Sequence, residues 1–147
     1  MIVHSIEIDR RPEDVFAYLD ELERHGEWQS EIVSTKVETE GPVGVGTRVR
    51  EIRKVGGRER DTSYEITEHD PPRKSSFRGF VGAVRPVGTV TVEQVGDGSK
   101  ARVSLEFDLV GQGIGKLIAL LARTQARKSI AESQQQLKAK LEAGTGP

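Results

Sequence analysis

Apolar and polar residues alternate over residues 2 to 9. Ile2, Ile6 and Ile8 fall on one side with His4, and Glu7 and Asp9 on the other, which predicts a strand. Arg11-Pro12-Glu13-Asp14 then opens a helix, because proline suits the first helical position and acids favour its positive end. Val15, Phe16, Leu19 and Leu22 recur at helical spacing and form its buried face. A second short helix over Glu23 to Trp28 precedes a strand at 31–38, with Val33, Thr35 and Val37 expected to face inward.

Residues 46–69 predict a hairpin in detail. Gly56-Gly57 supplies the positive φ of a two-residue turn, so paired residues sum to 113. Arg48 then faces Glu65 and Lys54 faces Glu59 on one side, with Val49 beside Tyr64 and Thr47 beside Ile66 on the other. A second hairpin turns at Gly96-Asp97-Gly98-Ser99, setting Val92 against Val103, Val90 against Leu105 and Glu93 against Arg102. Phe107 and Leu109 continue its inner row. Asp70-Pro71-Pro72 turns the chain into a further strand around Phe77, and Gly79, Gly82 and Gly88 mark bends or close approaches.

The glycine-rich stretch 111–115 leads into a helix reaching about Leu141, and 144–147 reads as a frayed tail. That helix carries two apolar stripes on nearly opposite sides: Ile114, Leu117, Ile118 and Leu121, then Ile130, Leu137 and Leu141 with Ala119 and Ala126. A straight helix leaves the first stripe exposed as a partner, membrane or gate patch. A kink near 122–128 would bury both.

This order predicts an α+β domain over 1–143: seven antiparallel strands in a curled sheet, two short helices after the first strand, and a long closing helix. An apolar sheet face must be covered, and only that helix is large enough. Ala119, Ala122, Ala126 and Ala131 are too small to fill the space, which predicts an internal cavity for a small apolar ligand.

Composition narrows the function. Basic and acidic residues number 22 and 23 and are interspersed, so no basic face suits nucleic acid. No apolar run is long enough to span a bilayer, and the first residues do not read as a signal peptide. The absence of cysteine removes disulfides and thiol chemistry and fits a cytoplasmic location. His4, His25 and His69 lack metal-ligand spacing, and no nucleophile triad emerges, so neither metal nor cofactor is expected.

Candidate ligand contacts lie on the predicted inner face: Trp28, Val49, Glu51, Arg53, Arg60, Tyr64, Phe77, Val90, Leu105 and Phe107. The hairpin register opposes Arg53 to Arg60, with Glu51 diagonal to Arg60 as the available carboxylate. Such a group could hold a ligand carboxylate or enolate. Alternatively, the arginines project past the helix into water, and Trp28 and Tyr64 serve the core.

Several phrases resemble the START superfamily and its polyketide cyclase/dehydrase-like subgroup. These are Ile8 to Phe16, the Trp28 region, Tyr64 to Arg73 and Val95 to Ser99, in that order, with the terminal helix after them. The resemblance spans nearly the whole chain and implies a helix-grip fold with a cavity between sheet and helix. It implies several functions, because members hold lipids, hormones or polyketides, or catalyse cyclisation. Three readings follow: binding or transport of a lipid- or polyketide-like ligand, a cyclase/dehydratase using Glu51, Arg53, Arg60 or Tyr64, and an interaction module that docks a homodimer partner or membrane through 114–121.

Overall fold

The computed structural model describes residues 1–143; the tail expected at 144–147 lies outside them. Its elements run β1 (Ile2–Ile8), α1 (Pro12–Leu19), a short 3-10 helix (Leu22–Glu27), β2 (Ile32–Val37), β3 (Arg48–Val55), β4 (Arg58–Asp61), β5 (Tyr64–Asp70), β6 (Lys74–Gly79), β7 (Val84–Val95), β8 (Lys100–Gly111) and α2 (Gly115–Ala143). The strands form one antiparallel sheet in the order β1-β8-β7-β6-β5-β3-β2, with β4 paired to β3 off this path. With α2 across its concave side, this is the helix-grip architecture.

Both hairpin registers hold. Arg48 pairs with Glu65 and Val49 with Tyr64, while Val92 pairs with Val103 and Val90 with Leu105. The count rises from seven strands to eight because the second strand of the first hairpin breaks at Thr62-Ser63. There Asp61 accepts the Ser63 amide at 2.9 Å, and the Ser63 hydroxyl accepts the Glu51 amide at 3.1 Å. The Thr62 amide still bonds the Glu51 carbonyl at 2.9 Å, and side-chain bonds take over at Ser63.

Two expectations need correction. Val33 is 52% exposed, because a bulge between Ile32 and Ser34 puts Ile32 on the inner side with Thr35 and Val37. The second short helix does form, winding as a 3-10 helix over 22–27. Arg102 does lie opposite Glu93, but its ion pair, at 3.1 Å, is with Glu7 on the other neighbouring strand.

Two apolar clusters pin the ends of the concave face. One joins Ile6, Ile8, Val15, Phe16, Val92, Ala101 and Val103 to Leu137 of α2. Burying a leucine such as Leu137 contributes about 2–3 kcal/mol. The other joins Leu22, Val49, Tyr64 and Ile66. Glycine permits close contact at Gly88, where a Cβ would sit 2.7 Å from the Phe77 ring.

The last helix is continuous over 29 residues, about 43 Å at 1.5 Å per residue. It lies across β1 and β8 and reaches β7. Its Ala119, Ile130, Gln134 and Leu137 are buried, so the second stripe faces the sheet. Ile114, Leu117, Ile118 and Leu121 are 78%, 58%, 46% and 71% exposed, as a straight helix requires.

Candidate functional site

Between the two clusters, Phe77, Val90, Leu105, Phe107 and Leu109 project from β6, β7 and β8 on the concave side. All five are only half-buried. Their strands have neighbours on both edges, so the exposure comes from the concave face, where α2 presents alanines. Together they form an apolar, half-exposed strip on the concave face. Aromatic rings continue it toward β5, with centroids 6.5 Å apart for Phe107–Phe77 and 5.3 Å for Phe77–Tyr64. Val49 is fully buried beside Tyr64 and is a core residue.

The strip leads toward a polar cluster on β3. Residues two apart on a strand share a face, so Glu51 and Arg53 both point inward. Glu51 is 5% exposed. The Arg53 guanidinium donates to the Glu51 carboxylate at 3.3 Å, to Glu31 at 3.4 Å and to Gln29 at 2.6 Å. The Thr62 hydroxyl donates to Glu51 at 2.6 Å, and the Ser129 hydroxyl of α2 donates to Glu31 at 2.7 Å. The cluster thus ties β3 and β4 to the loop before β2 and to the final helix. Fully satisfied, such a network holds its members in one arrangement.

Arg60 does not join it. It is Arg53's register partner, yet its side chain lies in solvent where the β3–β4 hairpin runs past the helix. The carboxylate expected beside Arg60 serves Arg53 instead, because two residues on one strand are already aligned while the diagonal must be spanned. Burial pushes the Tyr64 phenol up, and the nearby Glu51 charge adds to the effect against a smaller opposing influence of Arg53, so the hydroxyl stays protonated.

Trp28 packs beside the first apolar cluster and against His25, with ring centroids 5.3 Å apart. Burial pushes the His25 imidazole down, outweighing its bond to the Leu19 carbonyl and the Glu51 charge, so His25 is neutral near pH 7. Among the described residues, two buried polar atoms have no hydrogen-bond partner: the Trp28 indole Nε1 and the Thr35 hydroxyl. Thr35 lies opposite Glu51 on β2, so its orphaned hydroxyl borders the cluster.

Gln29, Glu31 and Ser129 escaped the sequence reading, which places Thr35 inward without a role in the site. The first two sit in a turn without periodicity, and Ser129 sits in a polar stretch of α2. The available signal was Arg53 itself, an inward arginine that needed more than one acceptor.

The other histidines are held structurally. His4 bonds Gln134 of α2, and His69 bonds Asp20 at 2.9 Å. Among the described residues no His/Cys/Asp/Glu group could hold a metal ion, and no helix is long and apolar enough to cross a membrane. Two concavities lie away from this strip. One of about 400 Å³ is lined by Asp9, Arg10, Arg11, Asp14 and the 97–99 turn, and one of about 260 Å³ lies on the convex side around Ser76, Thr89 and Glu106.

Solved structures share this architecture. A protein from Thermus thermophilus superposes with a TM-score of 0.77 at 21% identity, covering 99% of each chain. The Zhui aromatase/cyclase from Streptomyces sp. R1128 gives 0.73 at 16%, covering 97% of this chain and 96% of that one. The di-domain ARO/CYC BexL of the BE-7585A biosynthetic pathway gives 0.72 at 23%, covering 99% of this chain, which spans 47% of BexL. At these identities the likeness shows the fold alone. No curated protein matches significantly. The family model for "Polyketide cyclase / dehydrase and lipid transport" matches residues 2–142, and the chain belongs to that family.

Proposed function

We propose that the chain binds a small, mainly apolar molecule with neutral oxygen groups in the cleft between α2 and the concave sheet face. The observation that carries this reading is the half-exposed row Phe77, Val90, Leu105, Phe107 and Leu109, opposite alanines and leading to a polar cluster. Apolar contact supplies the affinity, and the polar end sets the orientation.

The cluster's charge argues for a neutral ligand. Glu51 and Glu31 together outweigh Arg53, whose guanidinium is already shared among three acceptors. An incoming carboxylate or enolate would meet net negative charge and compete with two carboxylates already in place. A phenolic or keto oxygen meets no such penalty. Among the described residues the Trp28 N–H and the Thr35 hydroxyl have no partner and are shielded from solvent, so a ligand oxygen that displaces their surroundings can bond them. Polyketide-like aromatics have this chemistry, as do sterol-like lipids.

A second reading, cyclisation or dehydration of such a ligand, draws on the convergence of Glu51, Arg53 and Tyr64 away from bulk water. Against it, the Glu51 charge is shared with Arg53 and its Oε2 accepts from both Arg53 and Thr62, which leaves only Oε1 to act as a base.

Native mass spectrometry of protein purified from its own host tests the binding reading. The expected result is a 1:1 adduct of a neutral aromatic or sterol-like molecule. Recovery of the bare chain alone, with no uptake of polycyclic phenols on incubation, would overturn it. Product formation on incubation with a linear poly-β-keto substrate mimic would favour the second reading.

A further inference from the structure

The start of α2 combines two features that the cleft does not use. Ile114, Leu117, Ile118, Leu120 and Leu121 are all exposed, Leu120 at 58%. At about 100° per residue they cover an arc of roughly 160° centred away from the sheet. Lys116 and Arg127 project along one border of that arc, and Lys128 lies within it about two turns beyond Leu121. All three basic residues are exposed, and none enters an ion pair among the described residues. No acid occurs between Asp108 and Glu132, and Arg123 already neutralises Asp108 at 2.8 Å. The first turn of α2 has no acid and carries Lys116, the opposite of what the helix dipole favours.

We infer that this segment is a docking surface for the face of a bilayer carrying anionic phospholipids. Leucine and isoleucine enter the boundary of the acyl region while Lys116, Arg127 and Lys128 stay at headgroup level. The charge decides against a second copy. An isologous contact would bring the basic residues Lys116, Arg127 and Lys128 of both copies into one interface with no carboxylate of the segment to offset them. An acidic surface neutralises them. The surface lies at the end of α2 that joins the sheet through Gly111 and Gly115, where Gly115 packs against Ala83. Docking there would bring the helix end to the lipid while Leu137, at the other end, stays locked in the core. The inference stands whether or not the cleft holds a ligand.

Vesicle co-sedimentation of the full chain tests it, with phosphatidylcholine alone and with 30% phosphatidylglycerol at about 0.1 M salt. Binding is expected to the anionic vesicles and to fall at least tenfold on neutral ones or at about 0.5 M salt. L117E/L121E should abolish pelleting, and K116E/R127E/K128E should reduce it at least tenfold, each with an unchanged circular dichroism spectrum. The salt series on the unmodified chain keeps the test valid if a variant misfolds. Failure of the unmodified chain to pellet with anionic vesicles would overturn the inference, as would salt-independent binding. So would a concentration-dependent dimer that L117E/L121E disperses.

Discussion

Arg53 and Glu51, two residues apart on β3, meet through a 3.3 Å ion pair on the concave side of the sheet, with Glu51 almost wholly shielded from water. A buried carboxylate is costly unless paired, and Arg53 supplies most of the compensation.

Removing that compensation should be worse than removing the pair. Arg53→Leu is expected to destabilise the fold by about 2 kcal/mol or more in urea denaturation, a value reduced for Arg53's partial exposure. Glu51→Leu/Arg53→Leu should cost less than Arg53→Leu alone. Additive losses would show that the two side chains act independently.

The two stripes of α2 should respond oppositely to truncation. Leu137→Ala, at 1% exposure, should cost about 2–5 kcal/mol. Leu121→Ala, at 71% exposure, should stay within about 0.5 kcal/mol. Equal losses in thermal denaturation would mean that the helix presents a different face to the sheet.

How far the sequence reached follows the same physics. Hairpin turns announce themselves through glycine, and a register then follows by arithmetic, so the Val49–Tyr64 and Val92–Val103 pairs were legible. Period 2 fails where a bulge intervenes, which is why Val33 was misplaced. The exposed stripe at Leu117 and Leu121 followed from helix geometry alone. The partners of Arg53 did not, because Gln29 and Glu31 reach it from a turn distant in the chain, and Ser129 of α2 joins only through Glu31.

Acid should weaken the fold first through His25. Its folded pKa lies below the ordinary 6.5 because burial disfavours the cation. The unfolded chain therefore takes up the proton first. Stability is fully present above about pH 6.5 and declines as pH falls from there toward the folded value. Glu27, lowered from 4.5 to about 2 by bonds from Arg24 and Tyr18, acts only in the window below 4.5. In His25→Gln the decline between pH 7 and 5 should flatten while the more acidic limb persists. An unchanged profile in pH-dependent urea midpoints would remove His25 from the account.

Gly88→Ala should strain the cleft wall. The added Cβ would meet the Phe77 ring at 2.7 Å and the Glu106 carbonyl at 3.1 Å, and forced repacking of this kind costs about 1–3 kcal/mol. Phe77→Leu in the same chain should recover part of that loss in urea denaturation. No recovery would place the conflict in the backbone rather than in the ring.

The account rests on the cleft accepting a neutral, oxygen-bearing apolar molecule, and the single tryptophan offers a direct view of it. A ¹H–¹⁵N correlation spectrum shows one indole N–H signal, from Trp28, to be followed while 2-naphthol and 2-naphthoate are added in turn. The predicted result is a saturable shift with 2-naphthol, weakened at least tenfold by the cleft-filling Leu105→Trp variant, whose second indole signal is assigned separately. Binding of 2-naphthoate should be several-fold weaker. An unmoved Trp28 signal, or tighter binding of the carboxylate, would contradict it.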